Sequence, residues 1–163
     1  MTDQRLREAS CACGELKITL TGDPEMVSSC ACQACQRRTG SAFGVTAFFR
    51  EGQVAGQAGE AQLWSRIGHS GKALLFRFCP TCGTTVWWTP EAKPGYVAVG
   101  GGCFADKDFP APTRASSAAV ATVIPPMATQ GTCMVSCQMV RISGSARVEA
   151  SLVAVGKKAP KAT

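Results

Sequence analysis

Thiols set the chemical possibilities of this chain. Of its ten cysteines, seven fall into three tight groups: Cys11 and Cys13, then Cys30, Cys32 and Cys35, then Cys79 and Cys82. Thiolates at such spacing are zinc ligands; four close a structural site, and three suffice where one position is kept for reaction. Seven sulfurs supply one set of each kind. The last pair sits in Cys79-Pro-Thr-Cys-Gly83, a turn that aims both sulfurs at one point and uses glycine for a left-handed backbone. The trio opens the stretch Cys30-Ala-Cys-Gln-Ala-Cys-Gln-Arg-Arg-Thr-Gly40, which places Arg37 and Arg38 directly behind three thiols. Spacing leaves the grouping open. Cys32 and Cys35 with Cys79 and Cys82 would form a zinc-ribbon-like site, leaving Cys11, Cys13 and Cys30 over. Cys11 and Cys13 with Cys79 and Cys82 leave the contiguous Cys30, Cys32 and Cys35, and this is the more economical division.

An open three-thiolate zinc suits thiol chemistry. A thiol entering the free position is deprotonated and becomes a nucleophile at neutral pH; polarisation of a carbonyl oxygen is the second route. Three thiolates around Zn²⁺ leave negative charge in excess, which weakens the ion as a Lewis acid and favours thiolate exchange. Arg37 and Arg38 offset that charge or hold a substrate carboxylate; the bland alternative is a pair of solvated surface arginines. His69, the only histidine, reads as an exposed loop residue, and Cys103, Cys133 and Cys137 read as spare thiols.

The elements that must position these thiols are short strands. Leu16, Ile18 and Leu20 alternate with Lys17 and Thr19, one face buried and one wet. Residues 26–30 form a strand into the trio, residues 36–39 a single helical turn closed by Gly40, and residues 41–50 a strand with Phe43, Val45, Ala47 and Phe49 on one face. Residues 51–59 read as loop, 60–66 as a strand carrying Leu63 or Trp64, 67–71 as a turn, and 72–78, 84–89 and 95–99 as strands. Trp87 and Trp88 are adjacent, so one faces the core and the other the opposite side. The expected fold is mainly β, built of many short strands with almost no helical periodicity.

Bulk properties narrow the function classes. A hydrophobic fraction of 45% over 163 residues gives the chain the means to bury one core, in a domain spanning residues 1–113. The chain carries a net charge of +6, but residues 1–113 have 11 Lys/Arg against 10 Asp/Glu, a net of +1, and residues 114–163 have 6 against 1, a net of +5. The thiol-bearing part is therefore nearly neutral, which gives little support to a nucleic-acid partner. All 11 aromatic residues lie at or before Phe109. Residues 114–163 form an atypical basic tail, with the composition of a disordered segment or of one read out of frame; residues 118–124 and 139–148 are its candidate strands. The polar residues 1–10 show no secretory signal, and no run reaches the roughly 18 apolar residues of a membrane span. A cytoplasmic location is expected, where clustered thiols bind metal rather than pair as disulfides.

The order C-x-C, then C-x-C-x-x-C-Q-R-R-x-G-S-A-F, then R-F-C-P-x-C-G, then G-Y-V-A-V-G resembles the glutathione-dependent formaldehyde-activating enzyme family, which also includes centromere protein V. The resemblance covers roughly residues 10–110. It implies packed antiparallel sheets clamped by a four-cysteine structural zinc on Cys11, Cys13, Cys79 and Cys82, and a catalytic zinc on Cys30, Cys32 and Cys35. It also implies a carbon–sulfur lyase-type activity, in which formaldehyde and glutathione condense to S-hydroxymethylglutathione. Relatives continue after the position of Arg114 with an aromatic- and histidine-bearing segment that this chain lacks. Two competing readings are a non-catalytic zinc-clamped interaction module, which a second site closed by Cys103 would favour, and a zinc-ribbon nucleic-acid binder.

Overall fold

The computed structural model describes residues 5–115. The candidate strands at 118–124 and 139–148, Cys133, Cys137 and the tail beyond residue 115 lie outside the described residues. Two sheets make the fold. The smaller has the order β1-β2-β5, with β1 (Leu6–Ser10), β2 (Lys17–Thr21) and β5 (Val54–Ala58) all antiparallel. The larger runs β10-β3-β4-β9-β8-β7-β6, built from β3 (Met26–Cys30), β4 (Gly44–Arg50), β6 (Gln62–Ile67), β7 (Ala73–Phe78), β8 (Thr85–Pro90), β9 (Tyr96–Gly100) and β10 (Arg114–Ala115). Only β10 is parallel to its neighbour, β3. The fold is mainly β, as expected.

The core lies between the sheets. Leu16, Ile18 and Leu20 are fully buried, so the alternation read from the sequence is the inward face of β2. Opposite them a row of paired residues crosses the large sheet: Val27, Ala47, Val99 and Trp87. Phe49 and Phe104 complete this core. The reverse face of the large sheet carries a second row, Phe48, Ala98, Trp88, Phe76 and Trp64, in which Trp64, Phe76 and Trp88 have ring centroids 5.3 and 5.4 Å apart. Trp87 and Trp88 thus face opposite sides.

Three elements depart from the sequence reading. Residues 6–10 form β1, whose inward positions are Arg7 and Ala9 while Leu6 faces solvent; the charge is accommodated by Asp23 and Asp106, both paired with the Arg7 guanidinium. Residues 51–59 are not loop throughout: a 3₁₀ turn at Glu51–Gln53 leads into β5, whose side chains are largely exposed because it is an edge strand. Neither Leu63 nor Trp64 is buried. Both lie on β6, the outer edge strand of the large sheet. The helical turn begins earlier, as α1 (Gln33–Thr39), with Cys32 at its N-cap and Gly40 closing it in the left-handed conformation, φ 64°.

Candidate metal centres

Two turns of the same design present the first group of thiols. In one, the Cys11 N–H bonds the Leu16 carbonyl and the Gly14 N–H bonds the Cys11 carbonyl; in the other, Cys79 bonds Thr84 and Gly83 bonds Cys79 in the same pattern. Gly14 and Gly83 take φ of 81° and 73°, a backbone that L side chains adopt only at a cost. One turn follows β1 of the small sheet and the other follows β7 of the large one, so their meeting joins the sheets. Cys11 and Cys13 sulfurs are 3.3 Å apart, Cys13 and Cys79 3.6 Å, and all four sulfurs including Cys82 lie within 4.8 Å of one another. Tetrahedral zinc with bonds of about 2.3 Å requires sulfurs about 3.8 Å apart. The donor set therefore fits zinc.

Cys11 and Cys79 are buried and Cys13 and Cys82 exposed. Surrounding groups favour negative charge on two of the four: the Leu16 N–H lies 3.2 Å from the Cys11 sulfur, and the Thr84 hydroxyl and N–H draw the Cys82 thiol down to about 5, whereas the neighbouring thiols outweigh the Glu15 N–H and push Cys13 up to about 12. Thr84 also accepts from the Ala12 N–H and so links the two turns.

The second group is Cys30, Cys32 and Cys35, again with all sulfurs within 4.8 Å. Cys30 ends β3, Cys32 caps α1 and Cys35 lies in its first turn. Each is half-buried. Burial works against the Cys32 thiolate, but the N–H groups of Cys35 and Ala34 and the neighbouring thiols outweigh it and hold Cys32 below the usual thiol range. Burial and the two neighbours push Cys35 up to about 12. Such a split makes one thiolate available first and leaves deprotonation of the other to a bound cation. Cys103 is not part of this group: its S–H donates to the Thr85 carbonyl, 3.6 Å away.

The two arginines behind the trio separate. Arg37 is exposed. Arg38 turns inward over the Trp88 ring, 4.6 Å from its centroid, and burial lowers its pKa. A Cβ at Gly44 would lie 3.0 Å from Arg38 Nη2 and 3.7 Å from Cys35 Cβ, so the absent side chain there is what admits the guanidinium beside Cys35. Beyond Arg38 opens a cavity of about 680 Å³ that reaches Cys11 and Thr84 on the far side and includes Gly101 and Cys103. Sequence reasoning missed this cavity. Its wall is made by a 3₁₀ turn at Gly101–Phe104 after β9, where a Cβ at Gly101 would come within 2.6 Å of Val45 Cγ1; the Gly100-Gly-Gly102 run was its only trace in the sequence.

Comparison with protein families matches residues 6–118 to the glutathione-dependent formaldehyde-activating enzyme family. The chain belongs to this family. All seven clustered cysteines, Arg37 and Arg38 fall within the matched span. No curated protein matches the chain. Among solved structures it is similar to a Rhodobacter sphaeroides protein, at 21% identity and a TM-score of 0.44 over 59% of this chain and 85% of that one. The family is one of glutathione-dependent formaldehyde activation, and among the described residues no helix is long and apolar enough to cross a membrane.

Proposed function

We propose that the chain is a zinc-dependent carbon–sulfur lyase-type enzyme that joins a small thiol to an aldehyde and reverses the step, with glutathione and formaldehyde as the nominal pair. The observation that carries this reading is the trio: three convergent sulfurs on α1 and β3, set apart from a separate group of four. Cys11, Cys13, Cys79 and Cys82 would hold the structural ion, and Cys30, Cys32 and Cys35 the catalytic one. Zinc, if held by Cys30, Cys32 and Cys35, would supply the charge that lets a bound thiol be deprotonated near neutral pH.

The chain's own residues prepare that site. The first turn of α1 keeps Cys32 in its thiolate form at lower pH than an ordinary cysteine. Arg38, beside Cys35, offsets the excess negative charge of three thiolates, while Arg37 remains solvated. In the reaction the thiol sulfur bonds the aldehyde carbon, the carbonyl π pair moves to oxygen, and that oxygen takes up a proton, giving the hydroxymethyl thioether without any change in oxidation state.

Exchange NMR on formaldehyde and glutathione tests the reading. Zinc-loaded protein is expected to accelerate adduct formation, and Cys35→Ser to remove the acceleration while the far-UV spectrum is kept. A wild-type protein that leaves the uncatalysed rate unchanged would end the proposal.

A further inference from the structure

We propose that the free edge of β6 pairs with β6 of a second copy of this chain, antiparallel and about a two-fold axis at Ser65. The product is a weak dimer in which the large sheet runs on from one copy into the other. The proposal stands apart from the thiol chemistry and uses none of its residues.

The edge itself is unguarded. Among the described residues the exposed large hydrophobics are Leu6, Leu63, Trp64 and Ile67, and the last three share this one strand. Natural sheet edges avoid self-association by being short or by carrying charge, proline or bulges. At the opposite edge of the same sheet, β10 has only two residues. On the edges of the small sheet, β1 carries Arg7 and Glu8 and β5 carries Gly56 and Gln57. The β6 strand spans six residues, Gln62–Ile67, with no acid, glycine or proline and an unbroken register to β7. Its one charge, Arg66, forms no ion pair among the described residues and leans over the Phe76 ring, 5.7 Å from the centroid.

Hydrogen-bond parity and side-chain chemistry choose the occupant. The Gly68 N–H donates to the Lys72 carbonyl at 2.8 Å, one pair beyond Ile67 and Ala73, while the Ala73 carbonyl turns away to the Glu91 N–H. Bonded and non-bonded pairs alternate along an antiparallel ladder. Gln62, Trp64 and Arg66 therefore bond β7, and the peptide groups of Leu63, Ser65 and Ile67 point out from the edge. An axis at Ser65 sets Ser65 against the partner's Ser65 and Leu63 against the partner's Ile67, so that every outward N–H of these residues meets an outward C=O. The Ile67 carbonyl, which accepts the Arg66 guanidinium at 3.3 Å, keeps a second lone pair for this. The same register places apolar against apolar on one face. On the other, Trp64 stands opposite the partner's Arg66, a cation on an indole. An axis at Trp64 would carry Ile67 past the end of the partner's strand, and one at Arg66 would set the two guanidiniums face to face. A foreign strand would have to reproduce all of these matches, whereas a second copy brings them. Two strands of this length bury an area at or below the low end for specific complexes, about 1,200 Å², so the dimer dissociates in the micromolar range.

Sedimentation velocity of the zinc-loaded full chain over roughly 1–200 µM is expected to pass from monomer to dimer. Ser65→Pro removes only an outward N–H, which an edge strand tolerates, and should hold the chain monomeric with its far-UV spectrum and zinc content unchanged. Leu63→Lys and Ile67→Glu each lose apolar burial twice per dimer and should weaken it about tenfold or more. An equimolar mixture of these two variants should recover a heterodimer, because the introduced lysine and glutamate then stand opposite each other. Both are changes at exposed positions, so they decide the matter even where the proline disturbs β6. A monomer at the highest concentration, charge variants that dimerise as strongly as the wild type, a folded Ser65→Pro that does so, or no recovery on mixing overturns the assignment. So does a chain that stays monomeric while pairing with a separate strand-forming peptide, which would make this edge a docking site for foreign strands instead.

Discussion

At the scale of single residues, environment separates thiols that look alike in sequence. Cys103 is pushed up to about 11 by burial. A raised pKa keeps the thiol neutral below that value, and only the thiolate is nucleophilic. Iodoacetamide is therefore expected to leave Cys103 unlabelled at pH 8 in the folded, zinc-loaded protein and to reach it only as pH approaches 11; peptide mapping after a pH series checks this, and ready labelling at pH 8 contradicts the burial. The three clusters were visible in the sequence because proximity along the chain already brings most of their sulfurs together. The distinction between Arg37 and Arg38 was not. It depends on Trp88 and Gly44, residues of other strands that only the fold brings to α1.

At the scale of elements, what was legible followed from clean alternation. The β2 strand buries Ile18 and Leu20 at period two, and β8 and β9 bury apolar runs on both faces. The β1 strand was hidden because its inward side chain is Arg7, neutralised by aspartates from distant segments, and β5 because an edge strand with wet side chains has no hydrophobic signature. The close of β5 is sterically demanding. Gly59 has φ 86°, and a Cβ there would lie 2.0 Å from the Glu15 carbonyl oxygen. Backbone on both sides leaves nothing free to move aside. Gly59→Ala is expected to destabilise the protein by about 2 kcal/mol or more, read as a lower denaturation midpoint with an unchanged slope. A shift of the midpoint too small to measure would mean that the approach of β5 to Glu15 is looser than described.

At the scale of the whole molecule, the two sulfur groups have unequal positions. Cys11, Cys13, Cys79 and Cys82 join the end of β1 in one sheet to the end of β7 in the other, whereas the trio belongs to the large sheet and α1 alone. A structural zinc contributes on the order of 10–16 kcal/mol, more than the whole net stability of an ordinary domain. Cys79→Ser is therefore expected to unfold the protein, and Cys35→Ser to retain the fold while losing one of two zinc equivalents; circular dichroism with metal analysis compares them, and equal unfolding of both variants would contradict the division. A β-rich fold could be anticipated from the number of short strands, but which sheet each strand joins could not, since pairing across β9, β4 and β3 links segments far apart in sequence.

The stacking of Arg38 on Trp88 has an optical consequence. Of the three indoles, Trp87 is sealed in the core and Trp64 stands half in solvent on the edge strand, and Trp88 is the one that carries a cation on its face. With Trp64 and Trp87 replaced by phenylalanine, the remaining chromophore would report by its emission each time that guanidinium gains or loses an anion, and the enzyme could be followed without a label.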